Sequence, residues 1–334
     1  MGHVSRCLTL AQALSDAGWT CEFAVSHETA GLSQLTGTPF DVHLLANASC
    51  PEQLFAIHSD APDLLIIDHY GLYADFESKC QQWAGLVLVI DDVPGRRHVA
   101  NLLLDSALDR DRADYGPYIP GSCRVLHGPQ YALIKDEIAA RRETALENRS
   151  DRESVERLFL SFGGIDTRGL GREAIGALEA IKEPLAIDVA ISSMSKRVES
   201  MEEFANRSHH DIVVHRDCTN VGELLAAADL ALGAAGVSAW ERCVLGVPAV
   251  IVSAADNQDQ NYEALTKSGA ALGIGRPDSG FAERLRAAVI GLASNSDERI
   301  SMSQKAAACC DGFGASRVVA AIEQEMVKET LHGQ

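Results

Sequence analysis

The feature that most constrains this chain is a series of short, continuous apolar runs set between amphipathic segments. DLLIID at residues 63–68, LVLVIDD at 86–92, RLFLSF at 157–162 and the run after Pro248 lack the apolar–polar alternation of a strand with one wet face. Runs of this kind, separated by helical segments, belong to a parallel sheet covered by helices on both sides. Ligands of such sheets bind beyond the carboxyl ends of the strands. His3, Asp68, His69, Tyr70, Asp91 and Asp92 all fall at such ends.

The remaining elements follow the same alternation. Val4, Leu8, Ala11 and Leu14 recur at helical spacing, with Gly18 where a C-terminal stop belongs. Strands are expected at 21–25, 41–45, 102–105 and 124–126, and a helix at 74–83. A doubly wound domain opens with a strand feeding a glycine-rich turn. Here that turn survives only as Gly2-His3 directly after Met1, so either the fold begins with a helix or the first strand lies upstream. Residues 135–153 are highly charged and without a strong apolar stripe, which reads as a surface helix plus linker. The pattern then restarts: strands at 157–162, 185–191, 211–215 and 229–232, helices at 169–181 and 221–227, and a helical end over 278–328. The expectation is an α/β protein of two Rossmann-like domains facing a cleft. Residues 1–140 form the first, which lacks its first strand; 141–154 are the linker and 155–334 the second.

Composition narrows the partners. The 334 residues are 46% hydrophobic and 23% charged, as in a soluble globular protein, and no apolar run has the length of a membrane span. The start MGHVSRCLTL does not read as a signal peptide, and nine scattered cysteines without a CxxC pair fit free thiols in a reducing cytoplasm. A net charge of −18 argues against a nucleic-acid partner, although local dipoles can still hold one phosphorylated small molecule.

The chemistry concentrates in two glycine turns and the N-terminus. In residues 233–261, GAAGVSAWERCVLGVPAVIVSAADNQDQN, a turn with Gly236 opens a helix carrying Ser238 and Glu241. Backbone N–H groups at such a start suit a phosphate, and a carboxylate one to two turns in can accept both ribose hydroxyls. The competing reading is an ordinary turn–helix–strand unit. Gly163-Gly164 after LFLSF is a second such turn. A GxGxxG fingerprint, a GxxxxGK[ST] loop and a GxSxG elbow are all missing, which disfavours a dinucleotide cofactor, a P-loop NTPase and a serine hydrolase. His3 at a helix start suits the activation of water, against the alternative of a disordered terminal histidine. Tyr70 is either a hydrogen-bond donor to a sugar or a rim aromatic, His69 is structural or lines the cleft, and Asp91-Asp92 are turn formers or caps.

These residues together resemble the UDP-sugar hydrolases of pseudaminic-acid biosynthesis. The likeness runs through Gly2-His3-Val4 with Arg6, Cys7, Leu8, Leu10 and Ala11, then Asp68-His69-Tyr70, Val89-Ile90-Asp91-Asp92 and Leu103-Leu104-Asp105. It continues through Gly128-Pro129 with Tyr131-Ala132-Leu133, Ser161-Phe162-Gly163-Gly164 with Asp166, Trp240-Glu241-Arg242-Cys243 with Leu245-Gly246 and Pro248, and Asn257-Gln258. The wider resemblance is to the GT-B superfamily, especially the bacterial lipid II glycosyltransferase type.

The resemblance implies hydrolysis of a UDP-linked 2,4-diacetamido-2,4,6-trideoxy sugar, with inverting attack of water on the anomeric carbon and loss of UDP. Matched by position, His3 is the general base and Tyr70 a residue near the sugar. Glu241 is the ribose acid, Asn257 a sugar-side contact, and Gly163, Gly164, Gly236 and Ser238 the nucleotide cradle. No metal and no cofactor are implied. The family has a strand and a further glycine before its Gly-His pair, so a displaced start or a truncation is expected here. A GT-B glycosyltransferase and a non-catalytic nucleotide-sugar binding protein are the alternatives. The partner is the UDP-sugar, with no nucleic acid, no stable membrane association and a monomeric state.

Overall fold

The computed structural model describes residues 2–57, 60–149 and 154–332. It divides into two compact units, Met1–Leu133 with Phe313–Gln334, and Ile134–Gly312. Every strand pairing is parallel.

The first unit opens with the helix Gly2–Asp16. Its strands are β1 (Glu22–Ser26), β2 (Asp41–Leu45), β3 (Leu64–Ile67), β4 (Leu86–Ile90), β5 (Leu102–Asp105) and β6 (Arg124–His127). They form two sheets among the described residues, β1-β2 and β3-β4-β5-β6. Strand side chains alternate between faces, so a strand buried on both sides must be apolar throughout. β4 does this. Leu86, Leu88 and Ile90 pack with Leu10 and Leu14 on one side, and Val87 and Val89 with Leu72 and Cys80 on the other. Leu88 is fully buried, and truncating it to alanine costs about 2–5 kcal/mol.

The second unit contains β7 (Arg157–Ser161), β8 (Ala186–Ile191), β9 (Asp211–Arg216), β10 (Leu230–Ala234), β11 (Ala249–Val252) and β12 (Leu272–Gly273), ordered β12-β11-β10-β7-β8-β9. One face packs Leu158, Leu160, Val189 and Leu232 against helices Leu170–Leu178 and Phe281–Ala293. Among the described residues, no helix is long and apolar enough to cross a membrane.

Two expectations need correcting. The C-terminal helix Gly314–His332 does not stay with the second half: Ala315, Val318, Val319 and Ile322 share the first unit's core with Leu10 and Leu14. An amphipathic stripe reveals that a helix is buried but not against what. Nor do residues 141–149 act as a linker. The helix Arg142–Arg149 lies in the second unit, where Arg142 donates to the carbonyls of Val244, Ala307 and Cys310, and Arg149 to those of Leu225, Ala228 and Leu245. Arginine buries its aliphatic stem and spends its fork on carbonyls, so a charged stretch can be an anchor rather than a solvated surface. Residues 150–153 of the expected linker lie outside the described residues.

Candidate active site

In the first unit the chemistry gathers beyond the carboxyl end of β3. His3 and Arg6 are three residues apart on one helix and so share a face. Asp68 is the first residue past β3. His3 Nδ1 lies 2.5 Å from Asp68 Oδ1, and Arg6 clamps the same carboxylate with Nε at 2.6 Å from Oδ2 and Nη2 at 2.5 Å from Oδ1. The Asp68 side chain is 3% exposed, Arg6 7% and His3 38%, so a buried ion pair supports a histidine that reaches solvent. Burial alone raises the Asp68 carboxyl. The hydrogen bonds from Arg6 and His3 outweigh it and hold the group well below the usual carboxylate range. An ionised carboxylate only accepts, so the proton in this bond sits on His3 Nδ1 and Nε2 takes no part in it.

Tyr70 belongs to the same cluster. Its ring meets the imidazole edge-on, with centroids 4.7 Å apart and planes at 84°. Its hydroxyl donates to Asp92 Oδ1 at 2.7 Å, and Asp92 also accepts from Arg6 Nη1 at 3.4 Å. Behind it, Arg96 donates to the Tyr70 carbonyl at 2.6 Å, stacks over the ring at 5.0 Å and pairs with Asp91. Asp91 accepts as well from Val93 N–H and from His98 Nε2, while His98 Nδ1 is 2.7 Å from Glu77. Burial opposes charge on His98, but the bonds to Asp91 and Glu77 prevail and push it up to about 9. Asp91 and Asp92 are thus hubs of a polar network, and Asp91 also turns the chain through Val93 N–H. His69 Nδ1 accepts from Gly71 N–H and shapes the local turn.

The second unit assembles the other candidates in a different way. β11, β10 and β7 are neighbours, with Ser161 paired to Gly233 and Ala234 to Val252. The segments that follow them, starting at 162, 235 and 253, therefore leave the same end of the sheet. Gly163 adopts φ +96°, a left-handed conformation, and Gly164 accepts at its carbonyl from Ser192 N–H at 2.7 Å. Asp166 caps the helix Leu170–Leu178 through Leu170 and Gly171 N–H. Ser238 opens the seven-residue helix Ser238–Val244, which also carries Glu241. Burial raises the Glu241 carboxyl, against the charges of Lys135 and Arg242. Asn257 sits in the 3-10 turn Asp256–Gln258. A Cβ on Gly236 would lie 3.4 Å from Gln258 Nε2, so these two turns are in contact.

His3 and Tyr70 are therefore together in one unit, and Gly163, Gly164, Gly236, Ser238, Glu241 and Asn257 in the other. Sequence reasoning missed Asp68 and Arg6 as partners of His3. The available signals were the three-residue spacing of His3 and Arg6 and an acid ending an apolar run. A separate group, Glu179, His209 and His210, has its ligand atoms within 4.8 Å of one another. His210 uses both ring nitrogens on the backbone of Leu178 and Leu185, and His209 bonds Ile181 O and Glu179, so the group works as a structural knot.

A model of the glycosyltransferase family 28 C-terminal domain matches residues 185–322. Solved structures extend the likeness to nearly the whole chain. MurG of Acinetobacter baumannii aligns with a TM-score of 0.64 at 17% identity, covering 97% of this chain and 96% of its own. A UDP co-structure of MnaA from S. aureus gives 0.65 at 13%, covering 97% and 93%. The chain has a GT-B-like fold. Within that fold, the UDP-2,4-diacetamido-2,4,6-trideoxy-beta-L-altropyranose hydrolase of Campylobacter jejuni is 26% identical over 268 residues, 80% of this chain and 92% of the relative. The spore coat polysaccharide biosynthesis protein SpsG of Bacillus subtilis is 22% identical over 271 residues, 80% and 78% of the two chains. The resemblance drawn from the motifs thus holds over four fifths of this GT-B-like chain.

Proposed function

We propose that this protein hydrolyses a UDP-linked 2,4-diacetamido-2,4,6-trideoxy sugar to UDP and free sugar, as a step of nonulosonic acid biosynthesis of the pseudaminic type. The carrying observation is the pairing of His3 Nδ1 with a buried carboxylate that Arg6 holds ionised. With Nδ1–H donated to Asp68, His3 Nε2 takes a proton from water. The water oxygen bonds to the anomeric carbon as the bond from that carbon to the diphosphate oxygen breaks, so the configuration inverts and UDP leaves with the electron pair. Asp68 stabilises the imidazolium that forms. Tyr70, fixed by Asp92 and Arg96, lines the sugar side.

The second unit takes the nucleotide in this reading. Gly163, Gly164, Gly236 and Ser238 cradle the diphosphate, Glu241 accepts from the ribose hydroxyls and Asn257 contacts the sugar. No step is assigned to a metal or cofactor. The likeness to the Campylobacter jejuni hydrolase supports the substrate class. The enzyme acts in the cytoplasm as a monomer, without stable membrane association.

The match to the glycosyltransferase family 28 C-terminal domain favours one second reading, transfer of the sugar to an acceptor hydroxyl. Incubation with a panel of UDP-sugars separates these readings. Hydrolysis yields UDP and free sugar without added acceptor, and transfer yields UDP only with one. Binding without turnover would leave a nucleotide-sugar binding protein. His3→Ala is expected to lower turnover by roughly 10²–10⁴-fold with UDP affinity retained; parallel loss of both would remove the base role.

A further inference from the structure

The side-chain donors bonded into the His3 cluster point inward. Arg6 spends its fork on Asp68 and Asp92, and Arg96 spends its own on Asp91 and the Tyr70 carbonyl. Tyr70 follows the same rule. A carboxylate accepts and a phenol hydroxyl holds one proton, so the 2.7 Å bond to Asp92 Oδ1 takes the only hydrogen that Tyr70 Oη can give. Toward any further group that oxygen accepts. The Asp92 carboxylate beside it is 21% exposed and also accepts.

The hydroxyl is held in that sense. His3 meets the Tyr70 ring edge-on, and the Arg96 guanidinium lies over the ring 5.0 Å from its centroid. Asp92 is tied through its other oxygen to Arg6 Nη1 at 3.4 Å. The residue type alone allows Tyr70 to donate to a sugar; its bond to Asp92 reverses that polarity. What the pair offers a ligand is therefore a fixed set of acceptors. A sugar hydroxyl turns to give or to accept and needs no such face, whereas an amide N–H only donates. Fixed acceptors select a fixed donor, because a group without the hydrogen leaves desolvated oxygens unpaired.

We infer that Tyr70 and Asp92 form a specificity-determining pair that accepts the N–H of an acetamido group on the sugar, with Asp92 positioning the Tyr70 hydroxyl so that its oxygen faces the substrate. This rests on the reading of the first unit as the sugar side and adds to it which group of the substrate is recognised there, and with what polarity. Discrimination comes from the hydrogen on the amide nitrogen and is separate from the proton transfer assigned to His3.

The test measures UDP release from the diacetamido UDP-sugar and from two analogues, each with one acetamido N–H replaced by N–CH3. The full-length wild type is compared with Tyr70→Phe, Asp92→Asn and the double variant. The wild type is expected to lose about tenfold or more in kcat/KM on one of the two analogues, chiefly through KM. In Tyr70→Phe and in Asp92→Asn that ratio should shrink several-fold. The double variant should be no worse than the poorer single one, because Asp92 acts through Tyr70. The pH dependence of kcat should keep its position in all of them; a merely structural disturbance reaching His3 through Arg6 would move it. A ratio that stays the same in the variants belongs to the bulk of the methyl group and overturns the inference, as does a wild type that treats both analogues like the parent. Should Asp92→Asn fail to fold, the ratio in Tyr70→Phe decides. A wild type that releases no UDP from any of the three sugars would instead remove the hydrolase reading itself, an outcome distinct from release without discrimination.

Discussion

The two units handle charge in opposite ways. Around His3 every buried charge has its complement: Arg6 with Asp68, Arg96 with Asp91, and His98 between Asp91 and Glu77. Around Ser238 the candidate residues lie on glycine turns and on the helix Ser238–Val244, where burial raises the Glu241 carboxyl and the buried Arg242 hydrogen-bonds a carbonyl and a hydroxyl. A balanced network sets a tautomer and holds it, which suits proton transfer. Glycine turns leave backbone N–H groups for a ligand that brings its own negative charge. In the reading proposed here, proton transfer belongs to the first unit and the anion to the second.

The sharpest way to break this comparison is Asp68→Asn. It leaves the buried Arg6 only the longer pair with Asp92, and His3 an uncharged partner in place of a carboxylate. Turnover, read as UDP release, should fall by roughly 10²–10⁴-fold, and stability by about 3–5 kcal/mol in denaturant unfolding. UDP binding should survive; if it falls equally, the two units do not divide the work. The Asp68 carboxyl is depressed in the fold, so its stabilisation is present above the ordinary carboxylate range and is lost as pH falls below it. The variant should lack that part of the acid sensitivity.

His98 tests the balanced network away from the reacting groups. Its pKa rises from the ordinary 6.5 to about 9, so its contribution is complete below 6.5 and disappears as pH rises through 9. The change is worth roughly 3 kcal/mol at 1.36 kcal/mol per unit. His98→Gln should unfold at lower denaturant at neutral pH, and its stability should no longer decline between neutrality and alkaline pH. An unchanged alkaline decline would assign that limb to other groups.

On the second unit, Glu241→Gln should reduce UDP affinity by about tenfold, and that of 2′-deoxy-UDP by less, if the carboxylate accepts from ribose. Equal losses would take it off the sugar. The smallest effect belongs to Arg276, whose pairs with Asp256 and Asp259 lie on the surface, 49% exposed on the arginine side. Arg276→Ala should leave the denaturant midpoint nearly unchanged, and high salt should shrink what difference there is. A larger cost would make the second unit more dependent on ion pairs than its interior suggests.

Much of the architecture was legible because local chemistry dictates it. β4 is apolar at every position because both its faces are covered, so LVLVI announces a buried strand without reference to any neighbour. The expected strands at 41–45 and 102–105 coincide with β2 and β5. The short strand β12, two residues ending in glycine, carries no such signal. The helix Val198–Ala205 buries only Val198 and Met201, too little to stand out as a stripe.

The sequence by itself determined a parallel α/β chain, the turns at Gly163 and Gly236, and the placing of His3 on a helix and Asp68 at a strand end. Tertiary structure alone decided their partnerships. His3 and Asp68 are 65 positions apart, and the 2.5 Å bond between them exists because the helix Gly2–Asp16 packs its Leu10–Leu14 face into the core that contains β4. The same holds for Gly314–His332, whose buried face carries no mark of the unit it joins. Periodicity records that a side chain leaves water; which groups it then meets depends on packing between segments distant in the chain, and that is where the ionised Asp68 arises.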